Sequence, residues 1–235
     1  LGSMPGLISG QSPDRNIFYS SYLSTYVERD VRELSGSVDA LKFNRFVTAV
    51  AARCSQLLNY KALADDADID MPTAKNWVNI LETLGIIFLL HPYSNNVLKR
   101  TIKTPKVYFY DTGLVCYLTR WSSPEVAESG AMSGALLENF TVSEIMKSYQ
   151  NAGLEPYLYF YRDRDAKEID VILEGDGKLC PLEIKKTATP DKRLTRVFSV
   201  MDRSPLQLGT GAVLCMAEQF GAFDRDNLIV PIWMI

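Results

Sequence analysis

The chain has little that could bind zinc or form a disulfide framework. Its 235 residues include one histidine, His91, and its four cysteines, Cys54, Cys116, Cys180 and Cys215, are widely spaced with no Cys-x-x-Cys pair. A zinc site of ordinary spacing needs clustered cysteine and histidine ligands, so the sequence excludes one. Scattered cysteines predict reduced thiols and a cytoplasmic protein.

Long hydrophobic runs are also missing. The longest, residues 86–90, is the size of a strand, whereas a helix that crosses a bilayer needs about 20 apolar residues. The opening Leu-Gly-Ser-Met has neither the basic start nor the apolar core of a signal peptide, and residues 1–19 are interpreted as a cloning remainder and a linker. The sequence therefore predicts no membrane partner.

The composition is that of a folded protein with no large excess of charge of either sign. Hydrophobic residues make up 47% and charged residues 23%, the formal net charge is -3, and the isoelectric point is near 5.3. These values exclude a disordered chain and a protein that is basic throughout, but they leave room for a local basic patch. The length favours two domains.

The first half of the chain predicts a helical domain over residues 20–118. Apolar residues recur at helical spacing in four stretches, and two strand-like runs follow after Gly85. The predicted helices cover residues 22–34, 38–54, 60–67 and 72–84, and the predicted strands cover residues 86–90 and 106–110. Three short helices followed by a hairpin are the order of a winged helix.

The connector between those two strands carries the basic residues of the predicted wing, Lys99, Arg100, Lys103 and Lys106. Basic side chains on a wing can contact the DNA backbone. The helix that would enter a DNA groove offers only Lys75 against Glu82, and similar helical hairpins also dock proteins. Contact with DNA and contact with a protein therefore both remain open.

A second domain is predicted over residues 134–235, after a linker at residues 119–133 that contains Ser-Ser-Pro and Ser-Gly. Its first helix places Glu138 on an apolar stripe. The order that follows, strand-strand-strand-helix-strand-strand, predicts an α/β domain with a mixed sheet flanked by helices.

The turn Asp176-Gly177 is a strong hairpin signal and fixes the register of the strands on either side. With these two residues as the loop, Asp170 stands opposite Glu183, and Lys185 lies on the same face as Glu183. Pro181 leaves a second interpretation open, because a bulge there would shift the register by one residue and turn Glu183 to the other face.

Two opposed carboxylates repel each other, which gives the hairpin a reason to bind a cation. Oxygen ligands beside an ammonium group suit Mg²⁺ and the hydrolysis of phosphodiesters, with Lys185 orienting or helping to deprotonate the attacking water. An ordinary surface hairpin is the alternative. The nearby Lys186, Lys192 and Arg193 could contact a phosphate backbone, or form a solvated face.

The constellation of Glu138, Asp170, Glu183 and Lys185 resembles the PD-(D/E)XK nuclease superfamily, whose fold is restriction-endonuclease-like. Longer motifs resemble the C-terminal region of a prokaryotic AAA-type ATPase family that joins an ATPase module to a winged helix and a nuclease-like domain of unknown function. They are YVERDVR at 26–32, YFYDTGL at 108–114, GALLENF at 134–140 and PLEIK at 181–185.

This resemblance implies that Asp170 and Glu183 are metal ligands, that Lys185 is the catalytic lysine, and that Glu138 is a ligand or positions water. The proline that often precedes the aspartate is replaced by Ile169. No G-x-x-x-x-G-K-[ST] motif occurs, so ATP would bind only to an upstream module absent from this chain. That module and DNA are the expected partners.

The sequence leaves two other functions open. The nuclease-like domain could be a catalytically silent platform that binds nucleic acid or docks a protein for the ATPase. The chain could also be a structural unit that forms a homo-oligomer.

Overall fold

The computed structural model describes residues 2–10, 14–35, 39–94 and 102–235 and is an α/β protein with mixed sheets and helices. It divides into two compact units, one formed by Leu1–Leu89 with Val107–Leu136 and the other by Leu90–Lys106 with Leu137–Ile235. Among the described residues no helix is long and apolar enough to cross a membrane. The four cysteines form no disulfide.

The first unit consists mainly of helices whose starts are capped by side chains. Asp14, Asp39, Asn59 and Asp70 each accept hydrogen bonds from backbone amides at the start of the helix that follows. This local chemistry satisfies amides that have no partner inside the helix. The helices are α1 (Pro5–Ile8), α2 (Arg15–Ser21), α3 (Glu28–Ser35), α4 (Ala40–Ala51), α5 (Tyr60–Ala67), α6 (Met71–Thr83), α7 (Thr112–Leu118) and α8 (Pro124–Ser129), with a π-helical segment at Tyr22–Val27.

A three-stranded sheet completes this unit, in the order β1 (Gln56–Leu57), β3 (Lys106–Phe109), β2 (Ile87–Leu90). Gly85 has a φ of 65°, which suits the left-handed turn that separates α6 from β2. The strand β1 was not predicted, because two residues carry no periodicity. Residues 119–133, the predicted linker, contain α8 and belong to the first unit.

Aromatic rings pack the core of the first unit. The ring of Trp77 on α6 meets Phe43 and Phe46 of α4 edge to face, with centroids 5.2 and 5.3 Å apart. All three side chains are buried. This packing joins α4 to α6 and accounts for the apolar stripe on each helix.

Asp111 is a buried N-cap at the start of α7. Its Oδ1 accepts hydrogen bonds from the Leu114 amide at 2.5 Å and from the buried Tyr19 hydroxyl at 2.6 Å. The charge on Asp111 also helps to raise the pKa of Tyr19, after burial, which is the larger cause. The Asp111 carboxylate thus links the start of α7 to α2.

The substitution Asp111→Ala is expected to lower the free energy of unfolding by about 2–3 kcal/mol, because it removes a cap and also the hydrogen bond between Asp111 and the buried Tyr19 hydroxyl. Asp39→Ala removes an exposed cap of α4 and should cost only about 1 kcal/mol. Urea unfolding followed by circular dichroism measures both. Equal losses would show that the Tyr19 contact adds nothing.

The second unit is built on a mixed seven-stranded sheet. The strand order is β4-β5-β6-β8-β10-β9, and β7 also pairs with β6. Strands β4, β5 and β6 are antiparallel, whereas β8 is parallel to both β6 and β10. The strands are β4 (Leu158–Arg162), β5 (Glu168–Gly175), β6 (Lys178–Lys185), β7 (Gln207–Leu208), β8 (Gly211–Cys215), β9 (Gly221–Ala222) and β10 (Asn227–Pro231).

Helical segments accompany this sheet. The long helix α9 (Ser133–Asn151) precedes β4, and a 3-10 helix at Lys192–Arg203 follows β6, where the predicted order of elements also has a helix. Phe198 and Met201 of that segment pack with Ile169 and Ile172 of β5 in one buried cluster. The 3-10 segment therefore covers part of the sheet.

The predicted hairpin register is confirmed. Gly175 pairs with Lys178, and the paired ladder continues without a shift to Val171 and Leu182. Asp176 and Gly177 have φ values of 50° and 73°, the left-handed pair that a two-residue type I′ turn requires. Pro181 keeps its place in the ladder, so the alternative with a bulge is wrong.

Candidate nuclease-like site

The hairpin brings Asp170, Glu183 and Lys185 together. The ladder ends one step before Asp170 and Glu183, and the Oδ2 of Asp170 instead accepts a hydrogen bond from the Ile184 amide at 2.8 Å. The Lys185 Nζ lies 2.6 Å from the Glu183 Oε1 and 3.4 Å from the Asp170 Oδ2. Both carboxylates are buried. The predicted convergence of these three side chains is therefore present in the fold.

Glu183 is the most strongly perturbed of the three. Burial, and then the charge of Asp170, raise its pKa to about 7, although Lys185 opposes this rise. Its Oε2 is buried and has no hydrogen-bond partner in the described part of the chain. A buried oxygen without a partner is costly, and a proton or a cation would satisfy it.

Lys185 remains charged at neutral pH. Burial alone would lower its pKa, but the charges of Asp170 and Glu183 outweigh burial and raise it above the ordinary value. Its side chain is 40% exposed, so the ammonium group also faces solvent. An ammonium group held in this way can donate hydrogen bonds to an anionic substrate.

A second lysine, Lys106, lies buried among carboxylates. Its Nζ contacts the Glu138 Oε1 at 2.9 Å and the Glu168 Oε1 at 2.6 Å, and its side chain is 3% exposed. Burial would lower its pKa, but the charges of Glu138, Glu168 and Asp170 raise it. This position corrects the prediction of an exposed wing lysine, because a buried ion pair cannot contact a DNA backbone.

Glu138 therefore reaches the site through Lys106. Glu168 was not predicted as a site residue, although its place two residues before Asp170 puts it on the same face of β5. Glu168 also pairs with Arg162, whose Nη1 lies 3.1 Å from its Oε2. The site is thus a network in which carboxylates alternate with lysine and arginine side chains.

The donor set suits a hard cation only in part. Asp170 and Glu183 supply the oxygen ligands that Mg²⁺ prefers, and the unpartnered Glu183 Oε2 offers a lone pair. Within the described ranges, no group of three or more histidine, cysteine, aspartate or glutamate residues is placed to hold a metal ion. Since Mg²⁺ keeps several waters, two carboxylates are compatible with it.

The other predicted phosphate contacts are scattered. Lys192 pairs with Asp224 at 2.9 Å and Arg193 with Asp191 at 2.8 Å, so each shares its charge with a carboxylate. Lys103 and Lys186 are exposed. Lys99 and Arg100 lie outside the described residues.

Comparison with known proteins identifies relatives but no established activity. The chain is 28% identical over 232 residues to the Uncharacterized protein Rv2008c of Mycobacterium tuberculosis and to the Uncharacterized protein Mb2031c of Mycobacterium bovis. The match covers 98% of this chain and 50% of each relative, so the chain spans about half the length of these curated relatives. No solved structure matches the chain.

Two family models cover most of the chain. The model of a Domain of unknown function (DUF4143) matches residues 133–235. The model of a Domain of unknown function (DUF8612) matches residues 1–125, which is more than half of the chain. The chain therefore belongs to the DUF8612 family.

Proposed function

We propose that the second unit is a Mg²⁺-dependent nuclease-like domain that acts on DNA, with Asp170 and Glu183 as metal ligands and Lys185 as the catalytic lysine. The observation that carries this proposal is the convergence of these three side chains where β5 and β6 meet, with one buried Glu183 oxygen left unpartnered. The mixed sheet, in which an antiparallel hairpin is followed by a parallel strand, supports a restriction-endonuclease-like fold.

The first unit is proposed to be a winged helix. Helices α4, α5 and α6 are followed by β2 and β3, and the sheet order β1-β3-β2 suits that fold. Its role would be to contact DNA or to dock an AAA-type ATPase module. The matched relatives contain about as much chain again as is present here, which is room for such a module, and ATP would bind only there.

In the proposed reaction a water oxygen forms a bond to phosphorus as that water gives up a proton to the solvent, and the P–O bond to the leaving sugar oxygen breaks as that oxygen takes up a proton from the solvent. Bound Mg²⁺ would lower the pKa of the attacking water and neutralise charge on the phosphate. Asp170 and Glu183 would hold the ion. Lys185, being protonated, would donate a hydrogen bond to the phosphate oxygens as negative charge builds up, rather than take a proton from water.

Asp170→Asn tests the metal ligand, because it keeps the shape of the side chain and removes the charge. We expect the chain to bind Mn²⁺ and nick supercoiled DNA, and we expect the variant to bind Mn²⁺ at least about tenfold more weakly. Asp176→Asn, in the exposed turn of the same hairpin, is the matched control and should behave as the unaltered chain does. Calorimetry and gel assays provide the two readouts. Equal nicking by all three proteins would contradict the proposal.

The raised pKa of Glu183 predicts that metal binding depends on pH. A proton on Glu183 competes with the metal, so Mn²⁺ affinity should rise from about pH 6 to about pH 8 and then level off. Calorimetry in buffers of different ionisation enthalpy would also show the release of the proton. An affinity that is flat over this interval would remove Glu183 from the ligand set.

A catalytically silent binding domain is the second candidate. Lys106 and Lys185 already pair with the carboxylates of the site and compensate the negative charge that a metal would otherwise neutralise. This candidate predicts that Mn²⁺ does not bind in a manner dependent on Asp170. It predicts instead salt-sensitive DNA binding or a stable complex with the ATPase module.

A further inference from the structure

The first unit contains a cavity of about 520 Å³ that is unrelated to the nuclease-like site. The lining comes from α2, the π-helical segment, α4, and the end of α7 with the loop after it. This volume lies within the range of about 300–1,000 Å³ typical of small-molecule sites. The cavity therefore has room for a ligand the size of a mononucleotide.

The charge of the lining is unusual for this protein. Among the described residues, Arg15 and Arg120 line the cavity and no aspartate or glutamate does so, whereas the chain as a whole carries a net charge of -3. The other lining residues are uncharged, and they include Asn16 and Asn44. Two guanidinium groups without a lining carboxylate give a positive potential that favours an anion.

The guanidinium group of Arg15 is oriented by hydrogen bonds that use only one of its nitrogen atoms. One of its guanidinium nitrogens, Nη2, donates to the carbonyl oxygens of Trp121 at 3.0 Å and Ser122 at 3.3 Å. In the described part of the chain it forms no ion pair, so its remaining N–H groups are available to a ligand. A guanidinium oriented by carbonyl groups is well suited to bind phosphate.

Arg120 occupies a position where helices usually have glycine. Its φ is 62°, and its amide and that of Trp121 donate back to Tyr117 and Cys116, which ends α7 in a left-handed turn. Its side chain has no hydrogen bond or ion pair among the described residues. The turn places a second guanidinium, with no ion pair in the described part of the chain, at the cavity that Arg15 lines.

We propose that this cavity binds a phosphate-bearing small molecule that also carries a ring, with Arg15 and Arg120 contacting the phosphate. Tyr117 and Trp121 line the same cavity and offer aromatic surface for the ring. A nucleoside monophosphate has both parts and serves as the probe. The inference is independent of the proposed nuclease activity, since all of these residues belong to the first unit.

Calorimetric titration of the chain with AMP, adenosine, ribose 5-phosphate and inorganic phosphate tests the proposal. We expect AMP to bind and adenosine to bind at least about tenfold more weakly, because the guanidinium groups contact only the phosphate. Competition by ribose 5-phosphate or inorganic phosphate would support the phosphate contact and show how much the ring adds. Adenosine binding as tightly as AMP, or no binding of AMP, would overturn the proposal.

Arg120→Ala locates the site. Because the Arg120 side chain is exposed and makes no hydrogen bond or ion pair among the described residues, the variant should fold, and we expect it to bind AMP at least about tenfold more weakly. Arg45→Ala is the matched control, since Arg45 is exposed on α4 of the same unit and does not line this cavity. Equal AMP affinity of the Arg120 variant and the unaltered chain would overturn the assignment.

Discussion

Replacing Lys106 by methionine is expected to lower the free energy of unfolding of the second unit by about 3 kcal/mol, because it leaves two partly buried carboxylates without the buried cation that they share. Lys106 contacts both Glu138 and Glu168, and its side chain is almost fully buried. Breaking such a pair costs about 3–5 kcal/mol in other proteins. We expect a cost at the lower end of this range for Lys106→Met, since Glu168 keeps its ion pair with Arg162.

Lys147→Met is the matched control for this experiment. Lys147 lies on α9 and pairs with Glu144, but both side chains are partly exposed, at 22% and 30%. A pair of that kind contributes about 0.5 kcal/mol. Native-state hydrogen exchange of the β6 and β8 amides measures stability within this unit and avoids assuming that the whole chain unfolds in one step. Equal protection in the two variants would show that Lys106 stabilises no more than a surface lysine.

The same variant bears on the proposed metal site. Without Lys106, the carboxylates of Glu138 and Glu168 add negative charge near Asp170, and divalent cations should bind more tightly and restore part of the lost stability. A cation that restores nothing would favour the catalytically silent candidate.

Lys185→Ala is expected to reduce Mg²⁺-dependent DNA cleavage by at least about 100-fold, because the charge that stabilises the transition state is removed. The affinity for Mn²⁺ should not fall, since the variant takes a positive charge away from Asp170 and Glu183. Loss of cleavage with retained metal binding is the signature of a catalytic lysine. Asp170→Asn should weaken metal binding as well.

Lys178→Ala provides the comparison for Lys185→Ala. Lys178 begins the same strand, β6, at its exposed end beside the turn. Its removal should change neither cleavage nor metal affinity. If the two lysine variants cleave DNA equally well, Lys185 has no catalytic role, and the second unit is better explained as a binding domain.

Much of the candidate site follows from signals that act over a few residues. Asp176-Gly177 set the type I′ turn, the turn set the register, and the period of two then placed Glu183 and Lys185 on one face. The helix ends also depend on local signals. Gly85 adopts the left-handed conformation that ends α6, and Asp111 caps the start of α7. Such features can be predicted from the sequence because the interacting groups are close to one another along the chain.

The side chains that surround the hairpin site are brought there by contacts between segments that are far apart in the sequence. Lys106 looked like a solvated wing residue because the residues before it are polar and basic, yet the fold buries it against Glu138 of α9 and Glu168 of β5. No local pattern specifies a partner that another element supplies. The cavity beside Arg15 and Arg120 arose in the same way.

The sequence alone determined the hairpin, its register and the three side chains that meet there, because turn geometry and strand periodicity are local. The tertiary structure alone decided which charges are buried and paired, because burial of a lysine depends on carboxylates from elements far apart in the chain. Lys185 and Lys106 illustrate the two cases, since the first was placed by its own hairpin and the second only by the packing around it.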